Sequence, residues 1–125
     1  MVLLVDTSTV SARVRELCAR AGGAIYVGSS AGSIVGGRTV QMAFWKDWDD
    51  RTAGGTLDVD WADAELGAGL DLCGGRSFFP HANGQYASAS WQQAQAARLG
   101  HTDHEVVKMA DGEGWSSESG FIGLR

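Results

Sequence analysis

One serine of this sequence, Ser30, lies among small residues in a Gly-X-Ser-X-Gly pattern that residues 28–32 complete. This pattern lets a chain turn so sharply that the serine hydroxyl projects away from the backbone and can meet a general base. The amide after the serine then points toward a developing oxyanion. We therefore predict a nucleophile at Ser30, a turn built on Gly28, Ala31 and Gly32, and an oxyanion donor at the Ala31 amide. The alternative is a glycine-rich turn in which Ser30 only caps the next helix.

A nucleophilic serine needs a general base, and the chain offers 3 histidines. Imidazole suits this role because its ordinary pKa lies near neutrality. His81 follows an apolar segment and Pro80, so we expect it at a strand end, where open α/β sheets carry their ligand crevice. His101 and His104 lie in a polar linker and are expected to be solvated. The alternative for His81 is a partly buried histidine that bonds to a backbone carbonyl.

The imidazolium that forms during serine attack needs a carboxylate partner. Asp111 and Glu113 follow an apolar segment in a turn flanked by glycines, and either could orient the base. The alternative is an ordinary acidic turn. The cysteines and histidines have no spacing typical of a zinc site, so we expect neither a metal nor a cofactor.

The elements around these residues follow the order of a parallel α/β unit. Residues 2–5 and 24–27 are short apolar runs typical of buried strands, and residues 10–21 have the spacing of an amphipathic helix. The turn at 28–32 then leads into a helix that starts near residue 33. This order of strand, helix, strand, turn and helix predicts a parallel sheet.

The rest of the chain gives a mixed pattern. Residues 41–63 hold three tryptophans (Trp45, Trp48 and Trp61) among aspartates without a clear period, which fits either a substrate-binding loop or an acidic flap with its tryptophans tucked in. Further strands are predicted at 70–73, 76–79 and 104–110. A helix is predicted at 86–99, a turn at 111–114 and an edge strand in the tail 115–125.

Composition limits the classes of function. The chain has 125 residues, the size of one domain, so residues 1–125 are expected to form a single unit. A net charge of -5 argues against binding to nucleic acid or to an anionic membrane. With no apolar run long enough to cross a bilayer and no signal peptide evident, we expect a cytoplasmic protein. Cys18 and Cys73 are then expected to be reduced, buried thiols.

Three stretches together resemble the peptidase E family of serine peptidases, which includes cyanophycinase-like enzymes. Residues 24–35 resemble the family's nucleophile strand and turn, and residues 78–81 resemble the strand that delivers its histidine. Residues 106–115 resemble the segment that holds its acidic residue. The resemblance implies a three-layer α/β/α sandwich with a mostly parallel sheet, smaller than the longer relatives. It also implies a catalytic triad of Ser30, His81 and Asp111, with Glu113 as the alternative acid.

The resemblance further implies a serine peptidase that hydrolyses short peptides, including Asp-containing ones, without a metal or cofactor. Family members are much longer before the nucleophile and carry there a βα half with a glycine-rich loop that supplies part of the oxyanion hole. No segment before Ser30 resembles that loop. Two alternatives therefore stay open: a non-catalytic relative that serves in binding or assembly, and an esterase-like hydrolase. A shortened sheet would leave apolar surface uncovered, so a homodimer or larger oligomer is expected.

Overall fold

The computed structural model describes residues 7–48, 63, 65–99 and 103–123. Three α-helices lie in these ranges: α1 (Thr7–Ala19), α2 (Ala31–Gly36) and α3 (Ala89–Leu99). Two short 3₁₀ helices cover Gln41–Lys46 and Gly84–Ala87. The strands are β1 (Ser77–Pro80), β2 (Val106–Met109), β3 (Glu113–Ser116) and β4 (Gly120–Gly123). The described part of the chain is therefore mixed α/β.

The parallel pair of β1 and β2 is the centre of this arrangement. Ser77 pairs with Val106 and Pro80 with Met109, and α3 lies between the two strands in sequence. This is the βαβ connection that parallel strands require. All four residues of β1 are buried, as in a strand that is covered on both faces.

Two hydrophobic clusters contain the neighbouring residues Phe78 and Phe79, whose side chains point to opposite faces because strand residues alternate. Phe79 joins the larger cluster with Ile34 of α2, with Met42, Phe44 and Trp45 of the first 3₁₀ helix, and with Ala82, which follows β1. Phe78 packs with Val107 and Met109, and the ring of Trp115 lies 5.3 Å from its own. The first cluster fixes α2 against β1, and this contact positions the turn that holds Ser30.

The antiparallel pair of β3 and β4 forms a hairpin after β2. Trp115 pairs with Phe121, and the connecting turn is closed by Ser116, whose hydroxyl accepts the Ser119 amide at 3.0 Å. The predicted edge strand in the tail is thus a two-stranded hairpin that begins earlier, at Glu113. Glu113 and Gly114 belong to β3 and not to the predicted turn.

The predicted strand at 24–27 is wrong. These residues have no regular secondary structure, and Ile25 and Val27 keep 89% and 87% of their surface exposed. A strand needs a neighbour that accepts its ladder hydrogen bonds, and no described strand lies beside this segment. The predicted strand at 2–5 lies outside the described residues. Residues 70–73 do not form a strand either, because the amides of residues 70–72 bond to carbonyls of α2 and of the residue that follows it.

The other predicted elements are present with shifted bounds. The helix predicted at 10–21 is α1 (Thr7–Ala19), and the helix predicted at 86–99 begins only at Ala89 after a 3₁₀ turn. The strands predicted at 76–79 and 104–110 are β1 and β2.

Cys18 and Cys73 are free thiols and are half-buried. No helix within the described ranges is both long and apolar enough to cross a membrane.

Candidate functional site

Ser30 lies in a turn whose backbone only small residues tolerate. Its φ is 50° and its ψ is -119°, a conformation that costs a non-glycine residue about 1–3 kcal/mol. At Gly28 an added Cβ would lie 2.6 Å from the Gly32 carbonyl oxygen, so a side chain there would force the turn apart. The Ser30 side chain makes no capping bond to α2. Ser30 thus occupies the N-cap position of α2, but its hydroxyl is not used to cap the helix.

Tyr26 fastens the segment before the turn to α2. Its hydroxyl donates to the Gly32 carbonyl at 2.7 Å, and partial burial raises the pKa of the phenol. An added Cβ at Gly36 would lie 2.9 Å from the Tyr26 ring, so the helix presents bare backbone to that ring. Tyr26 thus bridges the two sides of the turn that holds Ser30.

The pairing of β1 with β2 places His81 and Asp111 side by side. Pro80 is level with Met109, so the residues after them leave the same edge of the parallel pair. The amide of Ala82 donates to the Met109 carbonyl at 2.9 Å and extends the ladder past the end of β1. His81 itself has a φ of 54°, which turns the chain out of the strand. Ser30 and His81 are two of the four described non-glycine residues that have a positive φ.

These residues form one hydrogen-bonded chain. His81 Nε2 lies 3.1 Å from Ser30 Oγ, and His81 Nδ1 lies 2.5 Å from Asp111 Oδ1. Neutral imidazole has one donor and one acceptor nitrogen, so a proton on Nδ1 donates to the carboxylate while Nε2 accepts from the serine hydroxyl. The alternative in which His81 bonds only to a backbone carbonyl does not hold. The arrangement can remove a proton from Ser30 and hold the imidazolium that results.

Glu113, the alternative acid, has a different role. Its carboxylate accepts the Ala110 amide at 2.9 Å, and its own amide donates to the Ala110 carbonyl at 3.0 Å. These two bonds close the turn that carries Asp111. Of the two carboxylates, Asp111 is the one that bonds to His81.

The charge of Asp111 is stabilised where it lies. The hydrogen bond from His81 is the largest influence and lowers the pKa of Asp111 below its ordinary value, against a smaller opposing effect of desolvation. Asn83 and Lys46 also lower this pKa. Asp111 therefore stays ionised at neutral pH. Its side chain is 67% exposed and that of His81 is 38% exposed, so both groups can be reached by solvent.

Lys46 and Asn83, which sequence reasoning missed, support this site, as does Trp48 from the segment predicted as a substrate-binding loop or an acidic flap. The Lys46 ammonium donates to the carbonyl of Pro80, directly before His81, and the side-chain oxygen of Asn83 accepts the Asp111 amide at 3.0 Å. The ring of Trp48 lies 6.3 Å from that of His81. Asn83 could have been noticed because it follows His81 so closely. Lys46 and Trp48 come from a segment without periodicity. The sequence indicated this segment as a possible substrate-binding loop but not which of its side chains lie near His81.

A second chain of the same residue types lies elsewhere in the fold. Ser77 Oγ is 2.7 Å from His104 Nε2, and His104 Nδ1 is 3.2 Å from Asp103 Oδ1. Ser77 is fully buried in β1, so its hydroxyl is closed to a substrate. It also accepts the Thr39 amide at 3.2 Å. His104 is therefore mostly buried and structural, not solvated as predicted, whereas His101 lies outside the described residues.

The amide of Ala31 completes the list of predicted site groups. None of the described residues accepts a hydrogen bond from it, so the donor directly after Ser30 is available to a substrate. Within the described ranges, no cluster of three or more His, Cys, Asp and Glu side chains has an arrangement that could hold a metal ion. The chemistry that the described groups offer is proton transfer at a serine hydroxyl.

Comparisons with known proteins add no assignment to this geometry. Neither the protein-family models, the curated proteins nor the solved structures gave a significant match to the chain.

Proposed function

We propose that this protein is a serine hydrolase that cleaves short peptides with Ser30 as nucleophile, His81 as general base and Asp111 as its orienting acid. The observation that carries the proposal is the continuous hydrogen-bonded chain from Ser30 Oγ through both ring nitrogens of His81 to Asp111. The backbone conformation of Ser30 supports it, because strained residues concentrate at functional sites. The proposed context is a peptidase E-like three-layer α/β/α sandwich with a mostly parallel sheet.

In the first step, Ser30 Oγ attacks the scissile carbonyl carbon while His81 Nε2 takes the hydroxyl proton. The carbonyl oxygen gains the negative charge, and the Ala31 amide donates a hydrogen bond to it. When the C–N bond breaks, His81 returns the proton to the departing amine and an acyl-serine remains. Water then repeats the sequence: His81 takes its proton, the acid product leaves, and Ser30 recovers its proton.

Turnover by matched variants tests this proposal. Dipeptides, with Asp-X members included, and p-nitrophenyl esters of the same acyl groups are incubated with the purified chain. We expect peptide hydrolysis, and a loss of about 10⁴-fold or more in kcat for Ser30→Ala. Ser77→Ala is the matched control, because it removes the other serine that bonds to a histidine. It should lower the free energy of unfolding by about 1–3 kcal/mol and retain turnover.

The outcomes separate the remaining candidates. Turnover of esters without peptides would favour an esterase. A folded wild-type chain that cleaves neither, across the whole panel, would favour a non-catalytic binding or assembly protein. Equal turnover by Ser30→Ala and wild type would refute the assignment of the nucleophile.

A further inference from the structure

Trp48 is a large side chain that stays exposed beside His81, the candidate general base. It keeps 62% of its surface accessible, while Trp45, three residues earlier, is buried in the core. An exposed tryptophan ring is costly to hydrate. Because this ring lies near His81, a substrate bound at His81 would cover it.

The Trp48 ring is held in place from several sides. Its indole Nε1–H donates to the Tyr86 hydroxyl at 3.3 Å, and the Tyr86 ring meets it edge-on at 5.7 Å. The Lys46 ammonium lies 4.6 Å from the centre of the Trp48 ring. Asp47, directly before Trp48, has a φ of 57° and accepts a 2.6 Å bond from Arg98. A ring that is positioned in advance binds without a large loss of rotamer entropy.

The path of the proton indicates which part of the substrate faces Trp48. His81 Nε2 must pass the serine proton to the nitrogen of the leaving group, so that nitrogen has to approach the imidazole. The rest of the leaving group then extends along the His81 ring, and Trp48 lies against that ring at a tilt of 36°. The acyl group lies on the other side of the broken bond.

We propose that Trp48, supported by Tyr86, binds the side chain of the leaving-group residue and selects apolar residues there, above all aromatic ones. This inference rests on the proposed hydrolase function, because it takes Ser30 and His81 as the reacting groups. An aromatic side chain gains both burial and an edge-on or offset ring contact, which together favour it over glycine by about tenfold or more.

The first experiment needs no turnover. L-phenylalaninamide and glycinamide stand for the leaving group and are titrated against the full chain carrying Ser30→Ala. The Kd values are taken from backbone amide shifts in NMR spectra, and the Trp48 indole N–H is followed wherever Trp48 is present. We expect phenylalaninamide to bind with a Kd about tenfold lower or more and to shift the Trp48 signal. Adding Trp48→Ala should abolish the preference, Trp48→Phe should retain part of it, and Phe121→Ala, an exposed aromatic on β4, should retain all of it.

Equal Kd values, no binding of either amide, or a preference that survives Trp48→Ala would overturn the inference. In the wild-type chain, the acyl-serine formed from one ester is then partitioned between water and each amide. Phenylalaninamide should capture about tenfold more of it than glycinamide. Equal capture would overturn the leaving-group assignment. A chain that binds phenylalaninamide at Trp48 but forms no acyl-serine would instead show that the hydrolase proposal fails.

Discussion

His81 contacts both other members of the candidate triad, one through each ring nitrogen. With the Nδ1 proton bonded to Asp111, Nε2 is left as the acceptor for the proton of Ser30. Replacing the carboxylate with an amide would favour the opposite tautomer, because an amide can donate to Nδ1. The acid therefore acts on the orientation and the protonation of the base, and it does not touch the substrate.

The two acidic residues of the turn after β2, Asp111 and Glu113, allow a matched test of that role. Asp111→Asn should reduce kcat by about 10³–10⁴-fold, since it leaves His81 in the wrong tautomer. Glu113→Gln should cause a much smaller loss, because Glu113 only accepts the Ala110 amide and closes the turn. Steady-state kinetics on one peptide substrate compares the two variants. A larger loss for Glu113→Gln would reverse the assignment of the acid.

The pKa of Asp111 provides a second test that does not depend on turnover. Because the hydrogen bond from His81 lowers this pKa, the Asp111 carboxyl should titrate below the ordinary aspartate value of about 3.9. Its contribution to the free energy of unfolding is then present above about pH 3.9 and is lost as the pH falls through the lowered pKa. In His81→Ala the pKa should rise toward the ordinary value. Carbon-detected NMR follows the titration of the Asp111 carboxyl in the wild type and in His81→Ala. Identical titrations would contradict the hydrogen bond between Asp111 and His81.

Ser30, His81 and Asp111 were accessible to sequence reasoning because each belongs to a short local pattern that ends at a turn. Lys46 was not, and Trp48 was accessible only as part of a possible substrate-binding loop, because the contacts of these residues with Pro80 and His81 depend on the path of an aperiodic segment through the fold. His104 was misjudged for a related reason. Its neighbours in sequence are polar, but its ring forms a hydrogen bond with the buried hydroxyl of Ser77 and is therefore mostly buried.

At the scale of secondary structure, the turn before α2 and the edge of the parallel pair together determine the geometry of the site. α2 packs against β1, so the turn that precedes the helix is carried toward the end of that strand. Strands β1 and β2 are short apolar runs and were predicted from the sequence. The apolar run at 24–27 was predicted for the same reason and is not a strand, because an apolar pattern indicates a tendency to be buried and does not supply a hydrogen-bonding neighbour.

Of the two glycines in the turn, Gly28 has the closer approach to neighbouring backbone. Gly28→Ala should lower kcat/KM and reduce the free energy of unfolding by about 1–3 kcal/mol, because the new Cβ meets the Gly32 carbonyl and moves Ser30 from His81. Gly123→Ala on β4 is the control, since a Cβ there meets nothing within 4 Å. Chemical denaturation and kinetics on both variants check this. Equal behaviour of the two would show that the close approach at Gly28 does not constrain the turn.

At the scale of the whole molecule, the exposed apolar residues before Ser30 lead us to expect self-association. Ile25 and Val27 lie largely in solvent, and exposed apolar patches are more typical of interfaces than of free surface. An association through this segment would cover it next to the candidate nucleophile. It would also shield a triad whose histidine and acid are otherwise open to water.

Sedimentation across a concentration series tests this expectation. The wild-type chain should form a dimer or larger species, and Ile25→Glu should raise the dissociation constant by about tenfold or more, since it places a charge in the apolar contact. Leu66→Glu, at another exposed apolar residue, should have little effect. A wild-type chain that stays monomeric at high micromolar concentration would contradict the expectation.

The most direct test of the central claim is chemical labelling of the nucleophile. The purified chain is treated with a serine-reactive phosphonate and digested with trypsin, and residues 21–38 are released by cleavage after Arg20 and Arg38. Fragmentation of this peptide distinguishes Ser29, Ser30 and Ser33. The account predicts one adduct, on Ser30, that His81→Ala greatly slows and Ser30→Ala abolishes. An adduct on another serine, or no adduct on a folded wild-type chain, would contradict it.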